Sequence, residues 1–336
     1  MTALSPLHLI SRVIALCLFA FTFPASAVSP DENTVRISFT TVDQFLVVIP
    51  VSVNGAGPFN FLLDTGATNS VIDRGLADQL SLPGVGEEEV TGIEGKVRLA
   101  IVRAQSISVA GRTVRDLNLT VLSKVNGLPS KVSGIVGEDF LGHFDLLIDN
   151  RHHVIQLQQG LGPMSDMFEG ERLPVQLEAT LDGHYINHTL ILTGSSSELG
   201  TKTISLLLDS GVNYLYLFGG EQSLGGGATQ QECSRATISD TSSQFVCLQK
   251  VLPQLRFGNK KVVNLITVAQ LRKTGAYTEG LMPTSAFHSI FISHSQKFVI
   301  LDPSSKPRPA ESHVVADLRT DRKNKSVESG MFFAPE

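Results

Sequence analysis

Apolar residues recur along this chain in short bursts, many alternating with polar ones, and helical periodicity is rare. Val47 to Val53, Phe59 to Leu63, Val97-Leu99-Ile101, Leu117 to Leu122 and Leu146 to Leu157 show strand-like patterning. Helical candidates are few and short: Arg74 to Leu80, Glu138 to Phe144 and Thr284 to His288. The pattern predicts a mostly β chain.

One apolar run is of a different kind. Val13 to Phe23 follows Arg12 and precedes Ala25-Ser26-Ala27, in an opening segment that contains no acid. That is the layout of a secretory signal, residues 1–27, cleaved after Ala27. The run's eleven residues are fewer than the roughly 20 a spanning helix needs, so no stable membrane span is expected once the signal is removed. Export to the periplasm or the exterior follows, and there Cys233 and Cys247 meet oxidising conditions. Their midpoint falls in the turn-forming stretch Ser239-Asp240-Thr241-Ser242, which predicts a hairpin closed by a Cys233 to Cys247 disulfide.

The apolar pattern also repeats. Its first copy reads Ile49-Pro50-Val51-Ser52-Val53, then Phe61-Leu62-Leu63-Asp64-Thr65-Gly66-Ala67, then Gly134-Ile135-Val136-Gly137. Its second reads Leu173-Pro174-Val175-Gln176-Leu177, then Leu206-Leu207-Leu208-Asp209-Ser210-Gly211-Val212, then Gly280-Leu281-Met282-Pro283. Asp64 stands 70 residues before Gly134 and Asp209 stands 71 before Gly280, so the chain is read as two duplicated halves. Upstream the spacing differs. Pro50 precedes Asp64 by 14 residues and Pro174 precedes Asp209 by 35, which predicts an additional hairpin or surface loop of about 21 residues around Gly194-Ser195-Ser196-Ser197. Turn formers from Gln158 to Pro163 mark a linker. The expected organisation is a first half over 28–160, a linker over 161–171, a second half over 172–302 and a flexible tail over 303–336. The tail is assigned on its 11 charged residues in 34 and its three early prolines.

Composition narrows the picture. At 336 residues the chain has room for two domains, and 42% hydrophobic against 18% charged residues argues against chain-wide disorder. Net charge is −5 and no basic run precedes residue 300, so nucleic acid is not an expected partner. His184 and His188 are four apart but lack the glutamate of a helical zinc motif, and no metal or cofactor is expected. His152, His153 and His294 are read as solvent-facing.

Chemistry is concentrated where an apolar strand ends in Asp-Thr-Gly in one half and Asp-Ser-Gly in the other. Delivering a carboxylate from a buried strand is costly unless something shares its charge. Two such loops meeting on a two-fold axis solve this, because paired carboxyls can hold one proton between them and supply a base and an acid together.

On these residues the chain resembles the aspartic proteases of the pepsin and retropepsin superfamily, as two fused bacterial retropepsin-like halves. Phe61 to Thr68 is similar to the active-site loop, Thr91-Gly92-Ile93-Glu94-Gly95 to a glycine-rich flap tip, and Gly134 to Leu141 to the segment that backs the loop. The second half resembles the family through Leu206 to Gly211 and Gly280 to Phe287. The resemblance implies a bilobal pepsin-like acid protease fold, two retropepsin-like β-barrel halves with the active site at their interface. It implies catalysis by Asp64 and Asp209, support of their loops by Thr65, Gly66, Ser210 and Gly211, and a substrate-binding flap carrying Gly92, Ile93 and Gly95. The expected activity is endopeptidase action on polypeptides by a monomer. Val212, Pro283 and the lack of a glycine-rich flap in the second half depart from the family, which leaves open a catalytically silent peptide-binding protein on the same fold.

Overall fold

The computed structural model describes residues 33–92, 95–122, 132–160, 162–175, 190–199, 203–219, 223–224, 227–235, 243–270 and 278–305. The expected signal segment, His184, His188 and the tail beyond Ser305 lie outside the described residues.

In the first half the strands are β1 (Thr34–Ser38), β2 (Thr40–Val42), β3 (Leu46–Val53), β4 (Ala56–Leu63), β5 (Val71–Asp73) and β6 (Gly84–Gly92). They continue with β7 (Gly95–Val109), β8 (Arg112–Leu122), β9 (Gly134–Val136), β10 (Phe144–Asp149) and β11 (Val154–Gln159). Two short helices interrupt them, α1 (Arg74–Gln79) and α2 (Glu138–Leu141). The Asp73 side chain caps α1 by accepting from the amides of Gly75 and Leu76, and the helix buries Leu76 and Ala77. After β12 (Phe168–Glu169) and β13 (Leu173–Pro174) come β14 (Ile191–Ser195), β15 (Thr203–Asp209), β16 (Leu215–Phe218) and β17 (Thr229–Arg235). The last strands are β18 (Ser243–Phe257), β19 (Lys260–Gln270), β20 (Gly280–Pro283), β21 (Ser289–Ser293), β22 (Phe298–Leu301) and β23 (Ser304–Ser305).

Two sheets carry the duplication. The first runs β2-β3-β4-β9-β5-β8-β7-β6 and is closed by pairing of β3 with β7. The second runs β14-β15-β20-β16-β19-β18-β17 and is closed by pairing of β14 with β18. Registers match as well as order. Phe61 faces Gly134 and Leu63 faces Val136 in parallel, as Leu206 faces Gly280 and Leu208 faces Met282. Glycine is required at both crossings, because a Cβ on Gly134 would strike the Phe61 ring and one on Gly280 the carbonyl of Tyr216.

The structure corrects one part of the repeat. Leu173-Pro174 is not the counterpart of Ile49-Pro50 but an edge strand, β13, paired with β22. The counterpart of β3 is β14, where Leu192 faces Leu206 as Ile49 faces Phe61. Gly194 and Ser195 therefore lie in a barrel strand rather than in an added surface hairpin.

A third sheet of order β1-β11-β10-β21-β22-β13 joins the halves, with Leu146 of β10 opposite Ile292 of β21. The expected strand over Leu146 to Leu157 is instead two, β10 and β11, because the chain reverses at 150–153. Asp149 accepts from the His152 amide at 2.9 Å there, and His153 takes a left-handed φ of 54°. β12, inside the expected linker, pairs with β23 at the start of the expected tail. One apolar cluster containing Phe61, Phe140, Phe144 and Phe257 runs through both barrels and the joining sheet. No helix among the described residues is long and apolar enough to cross a membrane.

Candidate active site

Phe61, Leu62 and Leu63 are buried in β4, and Leu206 and Leu208 in β15, so each barrel drives a strand out through its core and releases an aspartate at the end. Four cross-loop hydrogen bonds fix the two ends together. The Thr65 amide donates to Ser210 Oγ at 3.0 Å and Thr65 Oγ1 donates to the Leu208 carbonyl at 2.9 Å. Reciprocally, the Ser210 amide donates to Thr65 Oγ1 at 3.1 Å and Ser210 Oγ donates to the Leu63 carbonyl at 2.8 Å. Thr65 and Ser210 are both buried, so these bonds form out of competition with water.

Within each loop the glycine amide turns back onto its own acid, Gly66 to Asp64 Oδ1 at 2.9 Å and Gly211 to Asp209 Oδ1 at 2.7 Å. Each glycine also faces the other loop's acid. A Cβ on Gly66 would strike the Asp209 carboxyl, and one on Gly211 would lie 2.8 Å from Asp64 Oδ2. The two carboxyls are close enough for each to alter the other's proton affinity. Burial pushes Asp64 above the usual carboxylate range against the pull of the Gly66 amide. Burial and then the charge of Asp64 push Asp209 well above it. Like charges this close cannot both ionise at low cost, so the pair keeps a proton and titrates as a unit.

Support behind the loops was not legible in the sequence. Behind the first, the Glu138 amide donates to the Ala67 carbonyl at 2.8 Å and the Asp139 amide to that of Thr68 at 3.1 Å. Asp139 receives the Ser70 amide at 2.9 Å and Ser70 Oγ at 2.5 Å, while Ser70 Oγ accepts from Gly137 at 3.0 Å. Burial, opposed by these bonds, pushes Asp139 up to about 6. Glu138 is buried against His294, which corrects the expectation that His294 faces solvent. His152 and His153 are exposed as expected. One signal was available: two adjacent acids directly after an apolar Gly-Ile-Val-Gly segment need buried partners.

The glycine-rich hairpin forms from β6 and β7, with Gly92 opposite Gly95. Ile93, at its tip, lies outside the described residues. Asn69 Nδ2 donates to Glu88 Oε1 at 3.4 Å and so ties the hairpin to the first active-site loop. In the second barrel β17 and β18 hold the matching place, although that hairpin lacks the glycines. Cys247 on β18 is buried and disulfide-bonded, whereas the Cys233 side chain lies outside the described residues.

Residues 49–140, which contain the Asp64 loop and reach into α2, match the aspartyl protease family. The matched stretch lies within the first half. The chain is also similar to a retropepsin-like aspartic protease from Rickettsia conorii, with 16% identity over 38% of this chain and 93% of that one and a TM-score of 0.29. No curated protein matches. Residues 191–283, beyond the matched stretch, repeat the sheet order of the first barrel.

Proposed function

We propose that the chain is an exported aspartic endopeptidase, complete as a monomer because one chain supplies both aspartates. The reading is carried by the reciprocal Thr65 and Ser210 bonds that bring Asp64 and Asp209 face to face. The pair titrates as a unit; with its single proton written on Asp209, ionised Asp64 takes a proton from a water lying between them. As the water oxygen bonds to the peptide carbonyl carbon, Asp209 gives its proton to the carbonyl oxygen. Collapse of the adduct breaks the C–N bond, with the proton on Asp64 passing to the departing nitrogen and that of the adduct hydroxyl returning to Asp209. The β6–β7 hairpin covers bound polypeptide and limits entry of bulk water.

The test is cleavage of an unfolded protein by the full chain, alongside Asp64→Asn and Asp209→Asn. Each substitution lowers kcat by about a thousandfold or more if both acids act in the reaction. A wild-type chain that cleaves nothing between acidic and neutral pH, yet still binds peptides, would replace this reading with the silent peptide-binding one.

A further inference from the structure

Glu138 and His294 come from opposite halves, the first opening α2 and the second following β21, and their side chains are 1% and 2% exposed. His294 Nε2 lies 2.8 Å from Glu138 Oε2, and Nδ1 lies 2.6 Å from the carbonyl oxygen of Phe144. A carbonyl can only accept, so Nδ1 carries hydrogen. The Nε2 to Oε2 contact then holds one further proton. Whether that proton belongs to the imidazole or to the carboxyl, the pair as a whole is neutral.

Neutrality matters because of the neighbours. Asp139 and Asp64 face Glu138, and both disfavour a net negative charge there. Asp145 faces His294 and is itself held by Ser293 Oγ at 3.2 Å and by the amide and hydroxyl of Ser295 at 3.0 and 2.9 Å. Removing the proton leaves a buried carboxylate beside the aspartate pair, and adding a second leaves a buried cation. The same Glu138 donates its amide to Ala67 in the first active-site loop. His294 continues the strand that joins the halves, where Leu146 meets Ile292.

We propose that Glu138 and His294 form a one-proton clasp that fastens the back of the first active-site loop to the second half and so sets the position of Asp64 relative to Asp209. They are positioning residues and touch no substrate. The proposal rests on the peptidase reading for its effect on rate, but not for its effect on structure. Burial alone would lower His294, and the charge and hydrogen bond of Glu138 outweigh it and hold it above its ordinary value. A group raised in this way stabilises the fold at pH below its unfolded value and ceases to do so as pH rises through its folded value. The clasp therefore opens on the alkaline side.

The experiment compares the full chain with His294→Gln, Glu138→Gln and the double variant by two readouts. One is amide exchange at Thr65 and Ser210, corrected for global unfolding, and the other is the pH profile of kcat and KM. In His294→Gln at pH 7 exchange at both amides quickens by about tenfold beyond the global change, and kcat falls by about tenfold with KM little altered. The double variant, neutral on both sides and still able to hydrogen-bond, recovers protection that no longer falls with rising pH, while the alkaline limb of kcat set by the aspartate pair remains. Exchange at Thr65 and Ser210 that follows global unfolding alone overturns the clasp, as does a double variant whose protection at these amides falls with rising pH as in the wild type. If His294→Gln does not fold, Glu138→Gln and the double variant decide by the same readouts. If the wild type cleaves no peptide, the exchange arm still decides, and that failure falls on the peptidase reading alone.

Discussion

Behind Asp64 stand Ser70, Glu138 and Asp139; behind Asp209, at the matching places in the second barrel, stand Leu215, Thr284 and Ser285. The first set is a buried polar network. The second replaces it with apolar contact: Leu215 is fully buried, Pro283 takes the place of Gly137, and Val212 packs with Tyr214 beside Tyr216, Cys247, Val268 and Leu281. Help from the opposite half differs too. The first barrel's helix receives an imidazole, whereas the second barrel's short turn receives the Asn150 side-chain amide on the carbonyls of Thr284 and Phe287, at 3.0 and 3.1 Å. Nearly symmetric geometry is thus reached by two chemistries, one that titrates and one that does not. Whatever pH does to the support of the site, it does behind the first loop, where Glu138, Asp139 and His294 stand.

The largest effect expected of this comparison tests where symmetry is kept. Ser210→Ala removes the acceptor of the Thr65 amide and the donor to Leu63, and Thr65→Val does the same to the Ser210 amide and Leu208. Each leaves a buried donor and a buried acceptor without partners, at a cost of roughly 2–5 kcal/mol when both are counted. Urea unfolding at fixed pH checks it. Equal losses support reciprocal bracing, and a loss confined to one variant would show that the loops are held unequally.

A smaller effect tests where symmetry is broken. Asp139 has an ordinary value of 3.8 and is pushed up to about 6, so the folded chain binds its proton more tightly than the unfolded chain. A raised acid stabilises below its unfolded value, and the benefit is lost as pH rises through the folded one. Between about pH 4 and pH 7 this removes roughly 3 kcal/mol in the wild type. Asp139→Asn, which can still accept from the Ser70 amide, should flatten the decline by that amount. Denaturant midpoints measured across this pH range test it, and parallel curves for variant and wild type would mean that the carboxyl is ionised throughout.

Local and long-range signals explain what the sequence revealed. The meeting of the Asp64 and Asp209 loops was legible because each aspartate ends an apolar strand with a glycine two residues on, and because the pattern recurs with nearly equal spacing to a later glycine-led apolar segment. The place of β14 was not, since Ile49-Pro50-Val51 and Leu173-Pro174-Val175 are alike over three residues while strand pairing is decided by partners far along the chain. His294 was misread for the same reason. Ser293-His294-Ser295-Gln296 has the polarity of an exposed turn, and its buried partners Phe144 and Glu138 lie 150 and 156 positions away.

The smallest expected effect concerns the carboxyl pair itself. The residues that follow the two Asp-hydroxyl-Gly triplets are Ala67 and Val212, neither of which has a hydroxyl to donate to an ionised carboxylate. Burial is the leading cause that raises both acids, and the bonds opposing it most are the backbone ones from Gly66 and Gly211. A pair raised in this way keeps its single proton to higher pH, so activity should peak at weakly acidic to near-neutral pH. Ala67→Ser adds a donor where the Ala67 amide already approaches Asp64. A bond to the charged form lowers its proton affinity, so the profile of kcat/KM should move acidward by about 1 pH unit or less. Val212→Thr should move it less, because Val212 is engaged in the apolar packing around Tyr216 and Leu281 and its replacement must keep that contact. A wild-type optimum near pH 3, or equal shifts from the two substitutions, would show that the different surroundings of the two loops do not reach the acids they carry.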